Sequence, residues 1–225
     1  MVNIIVQTLD CVTLVGAGPV LQDQIDEATR LAPYLVAADG GAEMLLKYGK
    51  TPKKVIGDFD SIDKGILQKI PVGDRHHVAE QDSTDFEKCL ARIRAPLVLG
   101  VGFLGARLDH QLAAMNALVR NPAGPCVLIG EDDILFHVPG DIALALEPGS
   151  RLSLFPLGPT GGRSRGLAWP IDGLELSPVG QIGTSNRVLE GDVRLSFDRP
   201  GMLVIVPRVA LGAVVRSLAP GAHAR

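Results

Sequence analysis

The sequence predicts two domains: an α/β domain with a mostly parallel sheet over residues 1–136, then an all-β sandwich over residues 137–225. Three observations predict this. Short, continuously apolar runs alternate with helical patterns in the first part, as expected of strands buried on both faces between helices. Past His137 the chain turns to Gly, Pro and short alternating runs, as expected of antiparallel strands joined by turns. The 225 residues are 46% hydrophobic and 21% charged, enough for a packed core and unlike a disordered chain.

CVTLVG (11–16) reads as a strand, and PVLQDQIDEATRLA (19–32) as a helix with Pro19 near its start. YLVAAD (34–39) and KVIGD (54–58) read as strands. Gly49 ends a helix and opens a turn. His76 and His77 open a strand without metal-ligand spacing. STDFEKCLARIR (83–94) reads as a helix, with Thr84 and Glu87 spaced for a capping box. PLVLGV (96–101) is a strand. RLDHQLAAMNALVR (107–120) is a helix with Leu108, Leu112, Met115 and Val119 on one face, and CVLIG (126–130) is a further strand. In the second domain RLSLF (151–155), VRLSF (193–197) and MLVIV (202–206) read as strands. GPTGGRSRG (158–166) reads as a flexible loop, and no helix is expected there.

Composition excludes several classes. The formal net charge is −3 and the pI is near 5.9. With no basic stripe, no nucleic-acid partner is expected. Cys11, Cys89 and Cys126 are far apart and apolar in context, which reads as buried thiols in a reducing compartment. The N-terminus has no basic leader, and the apolar tail is broken by Pro207 and Arg208. A cytoplasmic protein with no membrane partner is expected.

The residues that carry chemistry sit at strand ends. Gly16 and Gly18 follow a strand and precede a helix, but Leu21 stands where a dinucleotide fingerprint needs Gly or Ala. Asp39 ends a strand and is followed by two glycines. In GDFDS, extended backbone would aim Asp58 and Asp60 at one point and Phe59 into packing. Asp82 and Asp85 lie at the start of the capped helix, with Lys88 one turn on. GFLGARLDH (102–110) adds Arg107, Asp109 and His110. Hard carboxylate oxygens suit Mg²⁺ held together with substrate phosphates, and Lys88 and Arg107 would offset phosphate charge. The pattern points to nucleotide-dependent phosphoryl or pyrophosphoryl transfer without a P-loop.

ADGGA (38–42), GDFDS (57–61), QDSTDFEKCL (81–90), GARLDH (105–110) and the later GLAWPIDGLEL…GTSN (166–186) resemble the thiamine pyrophosphokinases, in order and approximate spacing. The resemblance implies a Rossmann-like nucleotide domain and a β-sandwich that binds thiamine and dimerises. It implies ATP as co-substrate, Mg²⁺, and a homodimer with each site at the interface. It further implies that Asp39, Asp58, Asp60 and Asp85 handle metal and phosphate, and that Asp58, Asp60, Asp85 and Lys88 form the catalytic group. Ser61, Lys88, Arg107 and Asp109 would contact ATP, and Asp82 and Thr84 stand with them. Gln81 and Asp85 would lie near thiamine, with Ser185 and Asn186 supplied by the partner. Trp169 suits stacking on a cationic ring, with a place in the β-domain core or at the dimer interface as the other reading. Ala106 replaces a glycine usual in the family's loop. The rival readings are a pyrophosphokinase for another alcohol, such as a hydroxymethylpterin, and a non-catalytic nucleotide- or thiamine-sensing module.

Overall fold

The computed structural model describes residues 2–80, 82–105, 107–121 and 123–221. The chain divides into two compact units, one reaching Glu131 and one spanning Asp132–Gly221.

The first unit alternates strands and helices in chain order. These are β1 (Val6–Gln7), β2 (Val12–Val15), α1 (Gln22–Leu31), β3 (Tyr34–Ala38), α2 (Gly41–Lys47), β4 (Lys54–Gly57), α3 (Lys64–Lys69) and β5 (Arg75–His77). Then come α4 (Asp85–Arg92), β6 (Ile93–Arg94), β7 (Val98–Val101), α5 (Leu108–Arg120) and β8 (Cys126–Ile129). Six strands form a wholly parallel run ordered β8-β7-β2-β3-β4-β5. β2, β7 and β8 are buried along their whole length, which explains their unbroken apolar sequences. From β2 the chain steps outward to β5 and then returns to β7 on the other side of β2. The gap between β2 and β7 is therefore the switch point, where a crevice opens at the carboxyl edge.

Several sequence expectations shift here. α1 starts at Gln22 rather than at Pro19, because Leu21 stays extended as its N-cap and its N–H donates to Gln24 Oε1 at 2.7 Å. The expected helix over 83–94 stops at Arg92, and Ile93–Arg94 pairs with β1 instead. α3 has an N-cap signal in its sequence: Asp63 Oδ1 accepts from Gly65 and Ile66 N–H at 2.8 and 3.1 Å. α5 buries Ala114, Ala117 and Leu118, while Leu108 and Leu112 are exposed. The packed face is thus the one carrying Ala114, Ala117 and Leu118, not the stripe that begins at Leu108 and Leu112.

The second unit contains β9 (Asp133–Val138), β10 (Asp141–Ala145), β11 (Arg151–Pro156), β12 (Gly162–Arg165), β13 (Gly183–Arg187), β14 (Asp192–Phe197), β15 (Met202–Pro207) and α6 (Leu211–Leu218). One antiparallel set runs β13-β11-β15-β9, and the other runs β10-β14-β12. On β14, buried Val193, Leu195 and Phe197 alternate with the outward residues, the period-2 pattern of a half-buried strand.

Two expectations are corrected. The unit is β-rich rather than all-β: α6 buries Leu211, Val214 and Val215, an i, i+3, i+4 face in the apolar tail past Pro207. The segment 158–166 is not all loop. Gly162–Arg165 pairs with β14, and a Cβ on Gly162 would sit 2.3 Å from Ser196 O. The glycine that suggests flexibility is there for close strand contact. Among the described residues, no helix is long and apolar enough to cross a membrane. All three cysteines are free and buried.

Candidate active site

The carboxyl edge of the parallel sheet carries a cleft of about 270 Å³. Its walls include Gly16, Asp39, Ser61, Asp85, Phe103 and Arg107. The loops after β2 and β7 meet at the switch point. Gly18 N–H donates to Gly102 O at 3.0 Å. A Cβ on Gly16 would lie 2.6 Å from the Phe103 ring, and one on Gly102 would lie 2.7 Å from Gly16 O. Gly102 also has φ +79°. The glycines after β2 thus serve close loop-to-loop approach.

Asp39 follows β3 and is almost wholly buried, with φ +43°. Its Oδ2 accepts from Ser61 N–H at 3.2 Å, while Oδ1 is buried with no hydrogen-bond partner among the described residues. Burial pushes the Asp39 carboxyl up to about 6; the nearby charges of Asp85, Asp58 and Asp60 add to this, against the Ser61 N–H. Gly57 makes room for it, since a Cβ there would fall 2.8 Å from Asp39 Cβ.

Asp58 and Asp60 do converge, but not by strand alternation. β4 ends at Gly57, and Phe59 adopts φ +63°, a left-handed turn residue. The Phe59 ring rests 5.7 Å from the His77 ring. One oxygen each of Asp39, Asp58 and Asp60 lies within 4.8 Å of the others. Ser61 Oγ donates to Asp60 Oδ1 at 2.8 Å.

Lys88 projects from α4 and is nearly fully buried. Its ammonium donates to Asp58 Oδ2 at 2.8 Å and Asp85 Oδ1 at 3.1 Å. Burial pulls the Lys88 pKa down, but the bonds to Asp58 and Asp85 outweigh it and the net shift is upward. The same Lys88 bond holds the Asp58 carboxyl below the usual carboxylate range, against its partial burial. Thr84 caps α4 as its spacing predicts: Glu87 N–H donates to Thr84 Oγ1 at 3.3 Å, and Thr84 N–H donates to Glu87 Oε2 at 3.1 Å.

The remaining candidates are placed less tightly. Asp82 is exposed and does not line the cleft. Arg107, which does, pairs with Asp109 through Nη2–Oδ2 at 2.6 Å, and both side chains are exposed. Gln81 and Ala106 lie outside the described residues. Phe103 fills one wall, 4.6 Å from the Phe86 ring; no charge or motif marks it in the sequence, only its place after a strand-end glycine.

In the second unit, Trp169, Ser185 and Asn186 come together. Asn186 is buried and holds the Trp169 backbone from both sides: Oδ1 accepts from Trp169 N–H at 3.2 Å, and Nδ2 donates to Trp169 O at 2.6 Å. Trp169 is 59% exposed, and the Arg187 guanidinium sits 5.7 Å from its ring centroid. Ser185 has φ +60° and donates its N–H to Ser153 Oγ at 3.0 Å.

Fold and cleft define an α/β protein with an acid-lined site at the switch point of a parallel sheet. Two family models match the chain: thiamin pyrophosphokinase, catalytic domain, over residues 25–128, and thiamin pyrophosphokinase, vitamin B1 binding domain, over residues 141–202. Thiamine pyrophosphokinase 1 of Oryza sativa subsp. japonica is 30% identical over 188 residues, covering 74% of this chain and 69% of that protein. Thiamine pyrophosphokinase 1 of Arabidopsis thaliana is 31% identical over 169 residues, covering 65% of this chain and 62% of that protein. Among solved structures, thiamin pyrophosphokinase from Candida albicans shares the fold with a TM-score of 0.75 at 18% identity, over 88% of this chain and 89% of that one. The yeast thiamin pyrophosphokinase gives 0.75 at 17% identity, over 93% and 89%. The chain belongs to the thiamin pyrophosphokinase family.

Proposed function

We propose that this chain transfers the pyrophosphoryl group of ATP to the hydroxyethyl group of thiamine, giving thiamine diphosphate and AMP. The observation that carries the reading is the convergence of Asp39, Asp58 and Asp60 beside the buried Lys88, in a cleft at the switch point. A metal fits there on chemical grounds. The donors are hard carboxylate oxygens, and Asp39 Oδ1 is buried without a partner among the described residues, a costly state that a cation would relieve. Bound Mg²⁺ would draw off polyphosphate charge and help template the attack.

The chain's own residues supply the rest. The thiamine hydroxyl oxygen attacks the β-phosphorus, its bond to the α-bridging oxygen breaks, and AMP departs. Asp85 takes or orients the hydroxyl proton, and Lys88 fixes both Asp58 and Asp85 for the in-line geometry. Ser61, Thr84 and Arg107 face the nucleotide, with Asp82 and Asp109 at its margin. The nucleotide domain is read as Rossmann-like, working without a P-loop, and the β-rich unit as a sandwich. A homodimer would bring Ser185, Asn186 and Trp169 of one copy to Gln81 and Asp85 of the other. The setting is cytoplasmic.

The test is direct. Pure protein with MgATP and thiamine should yield AMP and thiamine diphosphate in equal amounts. MgATP binding without either product would sink the transferase reading in favour of a sensing module. Product from a hydroxymethylpterin but not from thiamine would move the substrate.

A further inference from the structure

The outward face of β10-β14-β12 carries a second concavity of about 460 Å³, unrelated to the acidic cleft. The register builds it in two rows. Asp141, Ser196 and Arg163 lie side by side across the three strands, and Ala143, Arg194 and Arg165 form the next row. The inward residues of β14, Val193, Leu195 and Phe197, are buried, so this face points to solvent. Ala143 and Ser196 make a shallow floor, with the arginines standing around it.

The charge pattern is unfavourable without a ligand. Arg165 and Arg194 are direct cross-strand partners, and like charges at that spacing repel. Arg194 is paired with Asp192 at 3.0 Å and Arg165 with Glu190 at 3.7 Å, both highly exposed, so these pairs offset little. Arg163 has no ion pair among the described residues. The backbone positions that carry Arg163 and Arg165 are about 7 Å apart along β12, and those of Arg165 and Arg194 about 5 Å apart between the strands. That spread exceeds one phosphate and suits two linked ones, each taken by a planar fork of N–H donors.

We propose that this face binds a diphosphate group, with Arg163, Arg165 and Arg194 as its donors and Ser196 at its floor. Asp141, on the rim across Ser196 from Arg163, opposes the anion and limits affinity. The site needs neither Mg²⁺ nor the residues of the acidic cleft.

The test is calorimetric titration in EDTA, with inorganic pyrophosphate in one arm and ADP in the other. The wild type is compared with an Arg163→Gln/Arg165→Gln variant. The variant should bind pyrophosphate about tenfold or more weakly, the loss expected when charge-assisted bonds go. Loss in both arms would identify the diphosphate moiety as the ligand; loss in the pyrophosphate arm alone would identify the free anion. Unchanged binding of both overturns the proposal, as does an equal wild-type heat with sulfate at matched ionic strength. Asp141→Asn should tighten binding, and a weakened response would count against the site. The ligand-free variant should melt at or above the wild-type temperature because repulsion is relieved. A marked fall would mean that the arginines hold the sheet together, and would also overturn the proposal.

Discussion

The Lys88 ammonium lies 2.8 Å from Asp58 Oδ2 while almost none of its side chain reaches solvent. A buried cation so placed ties helix α4 to the loop after β4. Lys88→Met would remove the buried ammonium that donates to Asp58 Oδ2. The expected cost is about 1–3 kcal/mol of stability, with turnover lost together with the geometry of Asp85. Thermal melts and product assays on the same preparation check both. A variant that melts like the wild type would show that the pair is not holding the loop.

Three carboxylates around one point repel each other in the absence of a cation. Added MgCl₂ should therefore raise the melting temperature, since a ligand that binds only the folded chain stabilises it. Asp58→Asn should blunt that rise. An equal rise in the variant would mean that the Asp58 turn does not hold metal.

Asn186 fixes the Trp169 backbone through two hydrogen bonds, and Trp169 is the only tryptophan of the chain. Its fluorescence is thus a clean local reporter. Asn186→Ala should lower the emission anisotropy, raise acrylamide quenching and cost about 1–2 kcal/mol. Unchanged anisotropy would mean that Trp169 is held by other contacts.

His137 Nε2 accepts the Gly201 N–H at 3.0 Å, which only the neutral ring can do. Burial lowers the His137 pKa below the ordinary 6.5. The stability from this bond is therefore fully present above pH 6.5 and is lost as pH falls through the lower folded value. Melting curves from pH 7.5 down to 5 should show a loss of about 1 kcal/mol in the wild type beyond that of His137→Gln, which does not titrate. Parallel curves would remove His137 as the source.

The acidic cleft was largely legible in the sequence because its residues sit at fixed offsets from apolar strands. In a parallel sheet, Asp39, Asp58 and the loop before Asp85 must come out on one edge. The manner of convergence was not legible. Alternation along a strand predicts that Asp58 and Asp60 align, but Phe59 takes a left-handed turn against His77, a residue 18 positions away. Local propensity carries no trace of such a contact. Helix α6 escaped for a related reason: LGAVVRSL continues an apolar tail, and only three-dimensional packing separates a buried helical face from a strand. Arg163 and Arg165 looked like loop residues because Gly161 and Gly162 precede them, whereas pairing with β14 decides their state.

The contact between Gly16 and Gly102 constrains what variation this chain can explore. Each residue occupies the space that a methyl group on the other side would need, and Phe103 closes the third side. Any side chain gained at one position calls for backbone retreat at the other, in a segment that also sets the cleft wall. Neither loop can be redesigned alone: a library that varies only one of them should return mostly glycine there, and new cleft shapes should emerge only when both loops and Phe103 change together.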